Sequence, residues 1–214
     1  ERGLNQKLDE GIDIYLSIDT RLQEVLRREL KKTINKFSAQ SGLSVIMDIP
    51  SGEILSLVNF PDFDPNYKDK ILPKTQFNSA TQGVYEMGST FKPLTMAIGF
   101  EKNIINSDMQ FDVSEPIKYG KFIINDHVPH DGNLDIKGIV VNSSNIGAAK
   151  VAEKIGKKNQ IEFFEKIGFY KKINIENKES SAPLGNKYNW GKLETATIGF
   201  GHGFAITPLH LVKA

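Results

Sequence analysis

One stretch organises this sequence: Tyr85-Glu86-Met87-Gly88-Ser89-Thr90-Phe91-Lys92-Pro93. Proline is tolerated in the first turn of a helix, where its missing N–H removes no hydrogen bond, so Pro93 places a helix start close to Ser89. Helical residues three apart share a face, and the spacing therefore predicts that the Lys92 ammonium lies against the Ser89 hydroxyl. Because the residue before a proline is pushed away from helical angles, we expect an irregular turn around Lys92.

A serine and a lysine at this spacing can act as a nucleophile and its base. The serine hydroxyl is a weak nucleophile until a neighbouring group takes its proton. A lysine can take that proton when it is neutral, and burial in a dry cleft lowers its pKa in that direction. A helix start also favours negative charge on the serine oxygen or on an attached oxyanion. Taken alone, however, the pattern is more typical of an ordinary helix cap followed by a solvated lysine.

The composition limits the classes of function. The 214 residues are 39% hydrophobic and 25% charged, as in ordinary soluble globular domains. The 27 basic and 26 acidic residues give a net charge of +1 and are scattered, which argues against a nucleic-acid surface. The absence of cysteine excludes disulfides, thiol catalysis and thiolate metal sites. No apolar run long enough for a bilayer and no signal peptide is visible, and the chain opens on Glu1, so we expect upstream sequence to have been removed.

A second polar motif follows some fifty residues later. In Ser143-Ser144-Asn145, the first hydroxyl can relay a proton between the lysine, the nucleophile and a departing amine, and the Asn145 amide can bind a substrate amide. By itself this motif fits a polar loop between helices equally well. An S-x-x-K and an S-x-N motif with helices around both form a joint signal that chance rarely supplies.

Hydrophobic periodicity predicts the elements around these motifs. The predicted strands cover residues 12–18 and a hairpin of residues 43–49 and 54–60, with short strands and loops over residues 107–131. The predicted helices run from an Asp19 cap to Phe37, from Ser89 to about residue 102, over residues 135–142, 147–155 and 158–167, and onward from Thr207-Pro208. Residues 171–190 are predicted to be loop, and Gly168 is predicted to be a left-handed helix cap.

With these motifs in place, the sequence resembles the transpeptidase domain of class B penicillin-binding proteins, and most of all the division-specific septal enzyme of alphaproteobacteria. The resemblance extends over nearly everything from Leu16 onward. The segments that carry it are residues 16–23, 50–56, 61–66, 80–92, 143–147 and 200–209.

The resemblance implies an α/β (α+β) fold of the penicillin-binding-protein and serine β-lactamase type, with a helical lobe beside a five-stranded antiparallel sheet and a cleft between them. Ser89 would be the acylated nucleophile, Lys92 its proton acceptor, and Ser143 and Asn145 would line the opposite wall. The implied reaction attacks the D-Ala-D-Ala end of a peptidoglycan stem peptide, releases D-alanine and forms a cross-link. β-Lactams would acylate the same serine, and neither a cofactor nor a metal is implied.

The resemblance also sets a cellular context. It implies a periplasmic domain, an anchor upstream in the bacterial inner membrane, and divisome proteins as partners. Residues 1–18 would end an upstream region, and residues 19–214 would form the N-terminal and helical part of the transpeptidase domain.

One motif of the family is absent. No lysine here is followed by Thr-Gly or Ser-Gly, although the family carries K-T/S-G on a strand beside the cleft. We expect this motif and the remaining sheet strands beyond Ala214. We therefore expect these 214 residues alone to fold poorly or to be inactive.

Several other interpretations stay open or are set aside. A penicillin-sensing module without turnover and a serine β-lactamase share the predicted fold, although no glutamate after Asn145 matches the deacylating pattern of the lactamases. The residues Asp126, His127, His130 and Asp131 match no ligand spacing, so we predict a surface loop and no metal site. Gly199, Gly201 and Gly203 fit a packed turn better than a phosphate loop.

Overall fold

An amphipathic helix and a β-hairpin form the first unit of the fold. The structure is a computed structural model that describes residues 13–67, 69, 71–176, 179–185 and 189–214. Helix α1 (Thr20–Phe37) begins at Asp19, whose carboxylate accepts hydrogen bonds from two free N–H groups of the first turn. Strands β1 (Gly42–Met47) and β2 (Ile54–Phe60) pair antiparallel. The side chain of Gln23 on α1 bonds both the N–H and the carbonyl of Leu57, which fixes the helix on β2. The predicted helix and hairpin are confirmed.

The predicted strand over residues 12–18 is wrong where the structure describes it, from Asp13 on, because that segment joins no ladder. It is attached by separate contacts: the Ser17 hydroxyl donates to the Ile54 carbonyl at 2.7 Å, and the Asp19 N–H donates to Leu55 at 2.9 Å. Residue 12 lies outside the described residues.

The helical lobe begins with a 3₁₀ turn, Gly88–Phe91, that runs into α2 (Lys92–Glu101). Helix α3 (Ile136–Val141) is followed by α4 (Asn145–Ile167), which is interrupted at Gly156 with φ of 78°. This interruption separates the two helices that the sequence predicts there, and Gly168 ends the second with φ of 83°, as predicted. The final helix α6 (Pro208–Lys213) starts at its predicted Thr207 cap, whereas α5 (Lys192–Ile198) is not predicted.

Four small antiparallel pairs of strands complete the described structure. The hairpin β1–β2 is one of them, and β3 (Tyr85–Glu86) pairs with β8 (Ala205–Ile206). The others are β4 (Gln110–Asp112) with β7 (Asn133–Asp135), and β5 (Ile117–Tyr119) with β6 (Phe122–Ile124). The prediction of short strands and loops over residues 107–131 is confirmed. Among the residues described, no helix has the length and apolar character needed to cross a membrane.

An aromatic core, formed by Phe91, Phe164, Phe169, Trp190 and Phe204, lies inside the helical lobe. The Phe164 ring is central: its centroid lies 5.4 Å from that of Phe204, 5.5 Å from that of Phe91 and 5.9 Å from that of Trp190. Phe91 directly precedes Lys92 in the chain, so the core holds one end of the turn that carries the S-x-x-K motif.

Candidate active site

The turn that carries Ser89 has a tight 3₁₀ geometry. Gly88 starts it with φ of 55°, a backbone conformation that glycine adopts without a steric cost. The Lys92 N–H donates to the Ser89 carbonyl, and side chains three apart in a 3₁₀ turn eclipse one another. Accordingly, Lys92 Nζ lies 3.0 Å from Ser89 Oγ. We expected an irregular turn around Lys92. The irregular part is the 3₁₀ turn that precedes Lys92, because Lys92 itself has helical backbone angles.

A glycine-rich loop backs this turn. The Gly88 N–H donates to the Gly201 carbonyl at 3.2 Å, and a Cβ on Gly201 would lie only 2.2 Å from the Gly88 oxygen. The Glu86 carboxylate accepts from the Gly203 N–H at 2.7 Å, beside the pairing of β3 with β8. These contacts confirm that the glycines of residues 199–203 form a packed turn, as predicted. They also hold the turn that carries Ser89 in position.

The opposite wall is formed by the loop between α3 and α4. Ser143 has φ of 55°, in the left-handed region that is unusual for a residue with a side chain, and Ser144 caps α4. The Ser143 hydroxyl donates to Ser89 Oγ at 3.0 Å and lies 2.9 Å from Lys92 Nζ. Lys92 Nζ also donates to the Ser143 carbonyl at 2.6 Å and to Asn145 Oδ1 at 2.9 Å. The structure thus brings all four predicted site residues together.

Burial tunes the charge of Lys92, whose surface is 1% exposed, while Ser89 remains exposed. Desolvation lowers the pKa of Lys92 to about 8, against a smaller raising effect of the Asp126 carboxylate. A neutral amine has two N–H donors, which the Ser143 carbonyl and Asn145 Oδ1 can occupy. Its lone pair then faces the hydroxyls, so the arrangement can accept a proton from Ser89.

Sequence reasoning missed Asp126. The surface loop that we predicted over Asp126, His127, His130 and Asp131 is present, but Asp126 is half-buried within it and bonded to the start of α4. The sequence does show an apolar strand, β6, just before Asp126, and helix N-termini are known to favour carboxylates. Neither fact predicts which helix the Asp126 carboxylate contacts. Within the described part of the chain, no three histidine or acidic side chains lie together as potential metal ligands.

An open cavity of about 460 Å³ adjoins Asn145. The side chains that line it include Phe122 from β6, Leu193 from α5, Phe200 and His202. Mostly apolar clefts with a few polar groups are the usual form of ligand sites in proteins. This recess lies beside the amide of Asn145, whose oxygen also accepts a hydrogen bond from Lys92.

Comparison with known proteins places these features in one family. Residues 42–214 match the family described as the penicillin-binding protein transpeptidase domain. A protein of Caulobacter vibrioides named probable peptidoglycan D,D-transpeptidase FtsI is 36% identical over 96% of this chain and 35% of its own length. A probable peptidoglycan D,D-transpeptidase PbpC of Pseudomonas aeruginosa is 32% identical over 94% of this chain and 36% of its own length. The chain thus spans about a third of the length of these curated relatives.

Solved structures show the same fold. The transpeptidase domain of Burkholderia pseudomallei penicillin-binding protein 3 superposes with a TM-score of 0.81 at 26% identity, over 95% of this chain and 57% of that one. A peptidoglycan glycosyltransferase of Burkholderia ambifaria also gives 0.81 at 26% identity, over 92% and 58%. The family match over residues 42–214 and the fold agree with the S-x-x-K and S-x-N geometry, and the chain belongs to the penicillin-binding protein transpeptidase family.

Proposed function

We propose that the protein is a serine DD-transpeptidase that cross-links peptidoglycan stem peptides through an acyl-enzyme on Ser89. The observation that carries the proposal is the position of Lys92 Nζ, which lies 3.0 Å from Ser89 Oγ and 2.9 Å from Ser143 Oγ in a buried setting. Such a base and nucleophile pair suits acyl transfer without a metal or a histidine.

In the proposed reaction, neutral Lys92 takes the Ser89 proton while Oγ attacks the carbonyl carbon of the D-Ala-D-Ala peptide bond. The carbon–nitrogen bond then breaks, and the leaving D-alanine nitrogen receives a proton that Ser143 relays from the Lys92 ammonium. An amine of a neighbouring stem attacks the ester, its proton returns through the same groups, and Ser89 is regenerated. Asn145 is proposed to bind the substrate amide, and β-lactams are proposed to acylate Ser89.

We further propose that the full-length protein acts in septal cell-wall synthesis, with this domain in the periplasm and an anchor in the inner membrane. The support is the likeness to the alphaproteobacterial relative named FtsI. Divisome proteins are the partners proposed on the same ground. We propose residues 19–214 as the part of the transpeptidase domain present here, because Gln23 of α1 is bonded to Leu57 inside the family match.

A fluorescent penicillin tests the proposal on the full-length protein. We expect stable covalent labelling that is lost in Ser89→Ala and kept in the control Ser107→Ala, which removes an exposed hydroxyl on another loop. Label retained in Ser89→Ala contradicts the site assignment, and rapid hydrolytic loss of label indicates a β-lactamase. Cross-linking of stem peptides by the purified protein is then expected, and labelling without cross-linking indicates a sensor.

A further inference from the structure

One carboxylate, Asp126, binds the start of α4 with both of its oxygens. Oδ1 accepts from the N–H of Asn145 at 2.5 Å and from the N–H of Ile146 at 2.9 Å. Oδ2 accepts from the hydroxyl of Ser144 at 2.6 Å. The first N–H groups of a helix have no partner within the helix, so this carboxylate supplies one and places a negative charge at the positive end of the dipole.

The neighbouring residue orients the amide of Asn145. Asn145 Nδ2 donates to the backbone carbonyl of Asn125 at 3.1 Å, and this leaves Oδ1 to accept from Lys92 at 2.9 Å. A side-chain amide has one donor end and one acceptor end, so the Asn125 contact decides which end faces the lysine. Residues 125 and 126 together therefore hold both the backbone and the side chain of Asn145.

Asp126 also supplies charge to the site. Lys92 Nζ contacts the hydroxyls of Ser89 and Ser143, the Ser143 carbonyl and the Asn145 amide, none of which is charged, and the Asp126 carboxylate acts on it through its charge. Its negative charge opposes the desolvation that lowers the pKa of Lys92. One residue thus acts on the geometry of the wall and on the lysine.

We propose that Asp126 is a positioning residue of this site: it holds the first turn of α4, so that Ser143 and Asn145 face Lys92, and it balances the charge of the Lys92 ammonium. The inference rests on the proposed acylation of Ser89 and deepens it by naming the group that holds the opposite wall in place.

Two variants of the full-length protein separate geometry from charge, with acylation by a fluorescent penicillin measured between pH 6 and 9. Asp126→Ala removes three hydrogen bonds at once, and we expect acylation slower by roughly 10²-fold, the usual cost of a small misplacement of reacting groups. Asp126→Asn keeps an oxygen for the N–H groups of Asn145 and Ile146 and an NH₂ group for the oxygen of Ser144. We expect it to keep its rate at high pH and to shift the acid limb of the profile to lower pH.

A direct titration of Lys92 gives a second readout that does not require acylation. Full-length protein labelled with ¹³C at lysine Cε would show the Lys92 signal, assigned by its loss in Lys92→Arg. We expect its midpoint to be lower in Asp126→Asn than in the wild type. The control Asp131→Asn removes an exposed carboxylate of the same loop, and it should change neither the midpoint nor the profile.

The outcomes separate this inference from the proposed function. If the wild type is labelled and Asp126→Ala is acylated at the same rate, the positioning role is overturned and the transpeptidase proposal stands. An unmoved acid limb and an unmoved Lys92 midpoint in Asp126→Asn would mean that Asp126 is only a helix cap, which also overturns it. If the wild type takes up no penicillin, the proposed function fails, and the Lys92 titration is then the test of this inference. The same titration is the deciding test if the Asp126→Ala variant does not fold.

Discussion

At the scale of single residues, the protonation of Lys92 sets the expected response to pH. Desolvation lowers its pKa to about 8, so the base is mostly protonated at neutral pH and becomes neutral as the pH rises. We expect the acylation rate to rise roughly tenfold for each pH unit below that value and to level off above it. Rates of penicillin labelling between pH 6 and 9 measure this limb. A rate that stays flat over the range would contradict Lys92 as the base.

Ser143 combines a proposed relay hydroxyl with an unusual backbone. With φ of 55°, its position suits glycine better than a residue with a Cβ. We expect Ser143→Ala and Ser143→Gly to slow acylation by about 10²-fold or more, because both remove the relay between Lys92 and Ser89. The glycine variant should nevertheless be at least as stable as the alanine variant. Thermal unfolding measured beside labelling distinguishes the two effects, and a less stable glycine variant would show that this backbone is not strained.

The residues of the site differ in how far the sequence could reveal them. Ser89 and Lys92 are three apart on one turn, so local spacing was enough to predict their contact. Ser143 and Asn145 were found because their motif is recognisable as a partner of the first. Asp126 bonds to residues 18–20 positions away, and neither spacing nor composition encodes such a tertiary contact.

At the scale of elements, the close approach of Gly201 to Gly88 positions the turn of Ser89. A Cβ at Gly201 meets backbone at 2.2 Å, whereas at Gly120, also with positive φ, it meets nothing within 4 Å. We expect Gly120→Ala to cost about 1 kcal/mol for its left-handed backbone. Gly201→Ala should cost roughly 1–3 kcal/mol more and should slow acylation. Denaturant unfolding of both variants tests the difference, and equal losses would mean that the loop can move away freely.

Element prediction succeeded where caps and periodicity agreed. Asp19, Thr207 and Gly168 cap their helices as predicted, because each cap is a local contact. Helix α5 was missed because it is only seven residues long and lacks a polar side chain at its cap. Its signal was Glu194, whose carboxylate accepts from the N–H of Gly191 at 2.8 Å, three residues before it. The expected strand over residues 12–18 failed where described because alternation does not ensure a neighbouring strand.

At the scale of the whole molecule, the aromatic core joins the helices to the site. Phe164 is 1% exposed and contacts rings from several segments, so Phe164→Ala should lower the free energy of unfolding by about 3–5 kcal/mol. The control Phe100→Ala removes a ring that is 43% exposed and should cost far less. Denaturant unfolding of the full-length protein measures both, and a small effect of Phe164→Ala would mean that the core repacks. The aromatic residues were visible in the sequence, but their meeting depends on the chain path.

The burial of Lys92 also bears on chemical labelling of the protein. A lysine with a lowered pKa is ordinarily the first to react with acylating or reductive-alkylating reagents, since more of it is present as the free amine. Here, two hydroxyls, a carbonyl and an amide surround the nitrogen, and an electrophile from solution meets Ser89 first. Peptide mapping after such treatment should find the exposed lysines modified and Lys92 unmodified. An electrophile that enters this cleft is therefore expected to modify Ser89 and not Lys92.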